Sequence, residues 1–90
     1  LHPAASRVAR LSAETPALLI AFDLLEQGAE DLRSLPLEER RRRLERLVGR
    51  GVRGLALSPQ TSDRAVALGW LGRSGGALDG VVAKRAGDPY

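Results

Sequence analysis

Apolar residues recur along this chain with two different periods, and the change of period marks out the elements. Across HPAASRVARLSAET, Ala4, Val8 and Leu11 fall at i, i+4 and i+7, one stripe of a short helix with Arg7 and Arg10 off it. Pro16 marks its exit. ALLIAFDLL, residues 17–25, is too short and too apolar for a surface helix and predicts a buried strand. Ile20, Phe22 and Leu24 share one face of that strand, and Leu19, Ala21, Asp23 and Leu25 the other. EQGAED follows as a turn around Gly28.

LPLEERRRRLERLVG predicts the clearest helix. Pro36 suits its first position, and Glu38 and Glu39 favour its positive end while standing four residues before Arg42 and Arg43. Leu37, Leu44, Leu47 and Val48 form a narrow apolar stripe, and Gly49 is placed to cap the C-terminus. GLALSP, residues 54–59, predicts a short strand. Thr61 or Ser62 then caps a helix from Asp63 to about Arg73, with Ala65, Leu68 and Leu71 or Trp70 turned inward and Gly75 and Gly76 ending it. ALDGVVAKR is read as the final strand and AGDPY as a loop.

Composition narrows the picture. Ninety residues suit one small domain or a piece of a larger one. Phe22, Trp70 and Tyr90 are the only aromatics and there is no Met, so the core falls to Leu, Val, Ala and one Ile, which is thin for a free-standing fold. The absence of Cys excludes disulfides and thiolate metal sites, and the lone His2 lies at the terminus, too isolated for a histidine metal site. No apolar run approaches the roughly 20 residues of a membrane span, and no cleavable signal is visible. A soluble, intracellular protein is expected. The net charge of +3 permits a polyanionic partner without requiring one.

Four places carry candidate chemistry. The run Arg40 to Arg43 points in four directions on a helix, with Glu38, Glu39 and Glu45 interleaved, so a solvated, ion-paired face is expected rather than a phosphate-binding stripe. By pattern Phe22 reads as core. Asp23 is costly to bury in an apolar strand unless paired with an arginine, or else it faces a site. Asp79-Gly80 either holds a divalent cation close to a backbone that a ligand can approach, or is a turn-exit dipeptide. Lys84, the only lysine, either extends to water or neutralises phosphate. Strict alternation sets Asp79 and Lys84 on opposite faces unless Gly80 hosts a bulge or the strand twists strongly.

In order and spacing, these segments resemble the middle of the nucleotidyltransferase domain of bacterial ATP-dependent DNA ligases, of the type linked to double-strand-break repair. IAFDLL resembles the family's hydrophobic-Phe-Asp strand. GAEDLRSLPLEERRRRLERL resembles the Asp-Leu-Arg-x-x-Pro-Leu-x-x-Arg-Arg-x-x-Leu segment, LDGVVAKR the Glu/Asp-Gly-Val-Val-x-Lys motif, and DPY the approach to a Lys-x-Lys strand.

The resemblance implies a partial, α+β, ATP-grasp-like ligase adenylation domain: two or three short strands in mainly antiparallel sheet with three helices packed outside. It implies that residues 1–90 are a central fragment, with the nucleophilic lysine upstream and an oligonucleotide-binding domain downstream. The family's chemistry would adenylate that lysine from ATP, pass AMP to a DNA 5′-phosphate, and seal the break as a 3′-hydroxyl displaces AMP. Phe22 would stack on adenine, Asp79 would position Mg²⁺ or Mn²⁺, Lys84 would contact the nucleotide, and Asp23 would support the strand. Phe22 and Asp79 would line one pocket. Partners would be nicked or broken duplex DNA and end-joining proteins, in a cytoplasmic, nucleoid-associated setting. The chain has no Lys-x-Asp-Gly nucleophile motif, no Asp-Gly-Glu glutamate and no Lys-x-Lys strand, so the fragment alone should be inactive. The alternative is a non-catalytic nucleic-acid-binding or structural module that keeps the fold without the chemistry.

Overall fold

A computed structural model describes residues 3–14, 17–76 and 79–90. His2, Pro16 and the first two residues of the expected final strand lie outside the described residues. The elements run α1 (Pro3–Glu14), β1 (Leu19–Ala21), β2 (Glu26–Gln27), β3 (Glu30–Asp31), α2 (Leu37–Gly49), β4 (Leu55–Leu57) and α3 (Arg64–Gly72). This is a small α+β arrangement. Its strands form two separate two-stranded ladders.

β1 pairs in parallel with β4, Leu19 facing Leu55 and Ala21 facing Leu57, with α2 in the connection between them. Flanking bonds extend the ladder from Leu19 N–H to the Gly54 carbonyl (2.8 Å) and from Ser58 N–H to the Ala21 carbonyl (2.8 Å). β2 and β3 form a tight antiparallel hairpin, Gln27 opposite Glu30, turning at Gly28 with φ +62°. Pairing among the described residues is therefore divided between the two senses, and the longer ladder is the parallel one. That departs from the expected mainly antiparallel sheet. The final strand also differs: residues 79–85 join no ladder. A strand is defined by its partner, and the apolar alternation in this segment meets none here.

The core is small: Leu32, Leu37 and Leu44 are its buried apolar residues. α2 supplies two of them and packs against β4. The expected stripe of α2 is thus partly right, but two of its buried positions are Arg40 and Arg41. The cap differs too. Helical conformation runs through Gly49 to Arg50 (φ −76°, ψ −2°), and Gly51 takes the left-handed position at φ +79°. In α3 the cap falls one or two residues later than expected: Asp63 Oδ1 accepts from Ala65 N–H at 2.8 Å, while Thr61 Oγ1 accepts from Asp63 N–H at 3.0 Å. Trp70 and Ala67 are its half-buried side chains, and Leu68 and Leu71 are exposed.

Segment 17–25 inverts its expected burial. Leu18, Leu19, Ile20 and Phe22 are each more than half exposed, whereas the Asp23 side chain is only 4% exposed. The exposed side chains of β1 are covered by no second layer among the described residues.

Candidate functional site

The site is built around a buried charge. Arg40 and Asp23 form a two-pronged ion pair, Nε to Oδ1 at 2.9 Å and Nη2 to Oδ2 at 3.1 Å. The side chains are 3% and 4% exposed. The remaining arm of the guanidinium, Nη1, donates to the carbonyls of Leu35 and Asp88, and the Tyr90 ring lies with its centre 5.8 Å from Cζ. Burial pushes the Asp23 carboxyl up. The hydrogen bonds from Arg40 and from Leu24 N–H, with the charges of Arg40 and Lys84, outweigh that push and leave the group below its ordinary value. Asp23 is therefore a paired carboxylate, one of the two roles its sequence context left open.

The last five residues are fastened to the start of α2. Leu37 N–H donates to the Asp88 carbonyl and Glu38 N–H to the Ala86 carbonyl, each at 2.9 Å, so two of the unpaired donors at the helix start are met by this segment. Tyr90 N–H donates to the Arg33 carbonyl at 2.9 Å. This fastening brings Lys84 against the strand: its Nζ lies 4.7 Å from the centre of the Phe22 ring, a cation–π contact. Phe22 is 60% exposed, so its ring is open to a ligand and is not core.

Of the residues singled out from sequence, Phe22 and Lys84 are brought together and Asp23 stands directly behind them. Asp79 is exposed and makes no hydrogen bond or ion pair among the described residues. Two shallow concavities are lined by other residues, one by Gln27, Glu39, Arg43, Arg46 and Arg50, the other by Leu25, Glu26, Asp31 and Arg33.

The arginine run divides in two. Arg42 and Arg43 behave as expected: Glu39 binds Arg42 at 2.8 Å and Arg43 at 3.5 Å, and Arg43 also reaches Glu30 at 2.8 Å. Hydrogen bonds from Arg42 outweigh partial burial and hold the Glu39 carboxyl below its usual range. Arg40 and Arg41 correct the expectation of a solvated face, because both are buried. Arg41 donates from Nη2 to the Ser58 carbonyl at 2.7 Å and from Nη1 to Ser58 Oγ at 3.3 Å, tying α2 to the end of β4, while its buried Nε has no hydrogen-bond partner among the described residues. At the hairpin exit, Arg33 grips Asp31 through Nε and Nη2 and holds its carboxyl at about 2.

Arg40, Arg41 and Tyr90 were missed by reasoning from sequence, although the signal was there. Positions 37, 40, 41, 44 and 48 make one continuous helix face. Two arginines inside that face, downstream of a carboxylate in an apolar strand, specify a buried ion pair.

The family described as ATP dependent DNA ligase domain matches residues 2–90. A protein named DNA ligase C2 from Mycolicibacterium smegmatis is 48% identical over 85 residues, covering 93% of this chain and 24% of its own length. DNA ligase C of Mycobacterium tuberculosis is 44% identical over 89 residues, covering 93% of this chain and 25% of its own. DNA ligase C1 of Mycolicibacterium smegmatis is 41% identical over 91 residues, covering all of this chain and 26% of its own. The chain thus spans about a quarter of the length of these relatives. No solved structure matches it.

Proposed function

We propose, for a chain that belongs to the ATP dependent DNA ligase domain family, that it forms the central part of an adenylation domain in a longer enzyme that seals breaks in duplex DNA. The observation that carries the reading is the contact between Lys84 and the exposed Phe22 ring. An exposed aromatic ring accepts a purine by stacking on its free face, and the ammonium held over the Phe22 ring supplies positive charge for the phosphates attached to that purine. ATP is the AMP donor in this reading. A lysine outside residues 1–90 attacks its α-phosphorus, releases pyrophosphate and carries the AMP, the AMP passes to a DNA 5′-phosphate and frees the lysine, and a 3′-hydroxyl displaces AMP to close the strand.

Asp79 is assigned to the divalent cation, Mg²⁺ or Mn²⁺. Among the described residues no group of three or more His, Asp or Glu could cage an ion. Mg²⁺ is commonly held by one or two carboxylates, with phosphate oxygens and water completing its shell, so a single exposed carboxylate fits a cation that arrives with the nucleotide. The cation would offset charge on the reacting phosphates. In the same reading residues 79–85 enter a mainly antiparallel, ATP-grasp-like sheet by pairing with sequence beyond this chain, and end-joining proteins are partners in the cytoplasm. A DNA-binding module resting on the arginine run is the weaker alternative, since Arg40 and Arg41 are spent inside the protein.

The test is Asp79→Ala in the intact protein. Nick sealing should be lost while the variant melts like the parent. Unchanged sealing by a folded variant overturns the assignment.

A further inference from the structure

We propose that Arg40 is the positioning residue of the nucleotide platform: by gripping Asp23 on one side and the segment ending at Tyr90 on the other, it holds the Phe22 ring and the Lys84 ammonium together. The inference rests on the ligase reading above and adds a residue to it. The problem it solves is geometric. Phe22 follows β1 directly, and Lys84 lies in residues 79–85, which join no sheet. No ladder between these segments sets the 4.7 Å contact, so their relative position comes from what each is tied to.

Arg40 is the side chain to which both are tied, beside the backbone bonds from Leu37 and Glu38 that also hold the second segment. On the Phe22 side, the next residue, Asp23, is held by Nε and Nη2. On the Lys84 side, the Asp88 carbonyl accepts from Nη1 at 3.2 Å and the Tyr90 ring lies against the guanidinium. Among the described residues no other side chain hydrogen-bonds to both segments. The fork is specific to arginine. A lysine keeps the charge but offers a point donor that cannot span a carboxylate and a carbonyl on opposite sides.

Charge adds a second reason. Lys84 already acts on Asp23, since its charge helps to lower that carboxyl. With Arg40 in place Asp23 is satisfied, and Lys84 is left for the ring. Without Arg40, the buried carboxylate becomes the stronger attraction for the Lys84 ammonium, and the ring loses its cation.

The experiment uses the intact protein and three variants: Arg40→Lys, Arg40→Met, and the double Asp23→Leu/Arg40→Met. Each is measured for melting temperature and for the ATP dependence of label transfer from α-labelled ATP to the protein. If loss of the tie leaves the platform formed about one-tenth of the time, KM for ATP rises about tenfold in all three, with the rate at saturating ATP within about twofold of the parent. The double variant removes both charges and should recover melting temperature relative to Arg40→Met, yet keep the raised KM. A purely structural role makes KM follow melting temperature, so a double variant that recovers both overturns the proposal. An Arg40→Lys protein with parental KM, or a loss confined to the saturated rate, also overturns it. If the parent itself takes up no label, the ligase reading fails, and this inference with it.

Discussion

The Lys84 ammonium stands 4.7 Å from the centre of the Phe22 ring, although 62 positions of sequence separate the two residues. Since that ring is 60% exposed, replacing it removes little buried surface. In the intact protein, Phe22→Ala should weaken ATP binding by about 1–3 kcal/mol, the range for stacking a base on an aromatic side chain, and leave the melting temperature nearly unchanged. Phe22→Tyr should keep most of the affinity. Equilibrium titration with a fluorescent ATP analogue reads both, and parental affinity in Phe22→Ala would remove the ring from the site.

Asp23 behaves in the opposite way. Asp23→Ala leaves the Arg40 guanidinium buried without its counter-charge, and should cost about 3–5 kcal/mol in denaturant unfolding of the intact protein. A cost below about 1 kcal/mol would show that water or another carboxylate reaches Arg40.

The same pair sets a pH dependence of known sign. The folded Asp23 carboxyl lies below its unfolded value of 3.8. Its stabilising contribution is therefore complete well above that value and is lost as pH falls through the folded one. In Arg40→Met the bonds and charge of Arg40 are gone while burial remains, so the folded carboxyl lies higher than in the parent. The parent's advantage therefore falls with pH, and the variant's stability deficit should be largest near about pH 7 and shrink towards about pH 3. Unfolding curves of parent and variant across this interval decide the matter, and a deficit that does not change with pH would mean that Asp23 is not its source.

Three of the consecutive arginines, Arg40, Arg41 and Arg42, should carry unequal costs. Arg42→Ala removes an exposed ion pair to Glu39 and should leave the melting temperature unchanged. Arg41→Met breaks the bonds to Ser58 but strands no buried carboxylate, and it also relieves the unpartnered Nε. It should be tolerated better than Arg40→Met. A melting-temperature series that ranks Arg41→Met as the more damaging would contradict the roles assigned to these two residues.

The end of α2 offers a contrast between two glycines. Gly49 is helical with open space where a Cβ would go, so Gly49→Ala should stabilise by up to about 1 kcal/mol. Gly51 sits at φ +79°, where a side chain costs about 1–2 kcal/mol. Opposite shifts in unfolding midpoint are expected.

Local rules made the helices, the turn at Gly28 and strand β4 legible, because each is set by residues close in sequence. The helix boundaries drifted by one or two residues where two candidates competed, as Gly49 and Gly51 did for the cap. What could not be read locally was burial in segment 17–25. Alternation identifies two faces of a strand, but it does not say whether a second layer covers either. The result was Phe22 exposed and Asp23 buried, the reverse of their hydrophobicity. Phe22 and Lys84 were expected at a site through resemblance alone, and the fastening proposed for Arg40 is contained in no single motif.

That fastening has a consequence for how the protein is made. Asp23 and Arg40, 17 positions apart, can meet once α2 has left the ribosome, whereas the Asp88 carbonyl lies 48 positions beyond Arg40. At about 5–20 residues per second, translation leaves a delay of about 2–10 s during which Nη1 of the guanidinium has the Leu35 carbonyl but not its second acceptor. The surface on which a nucleotide would rest is thus completed last in this stretch of chain, after the helix and the buried pair beneath it have already formed.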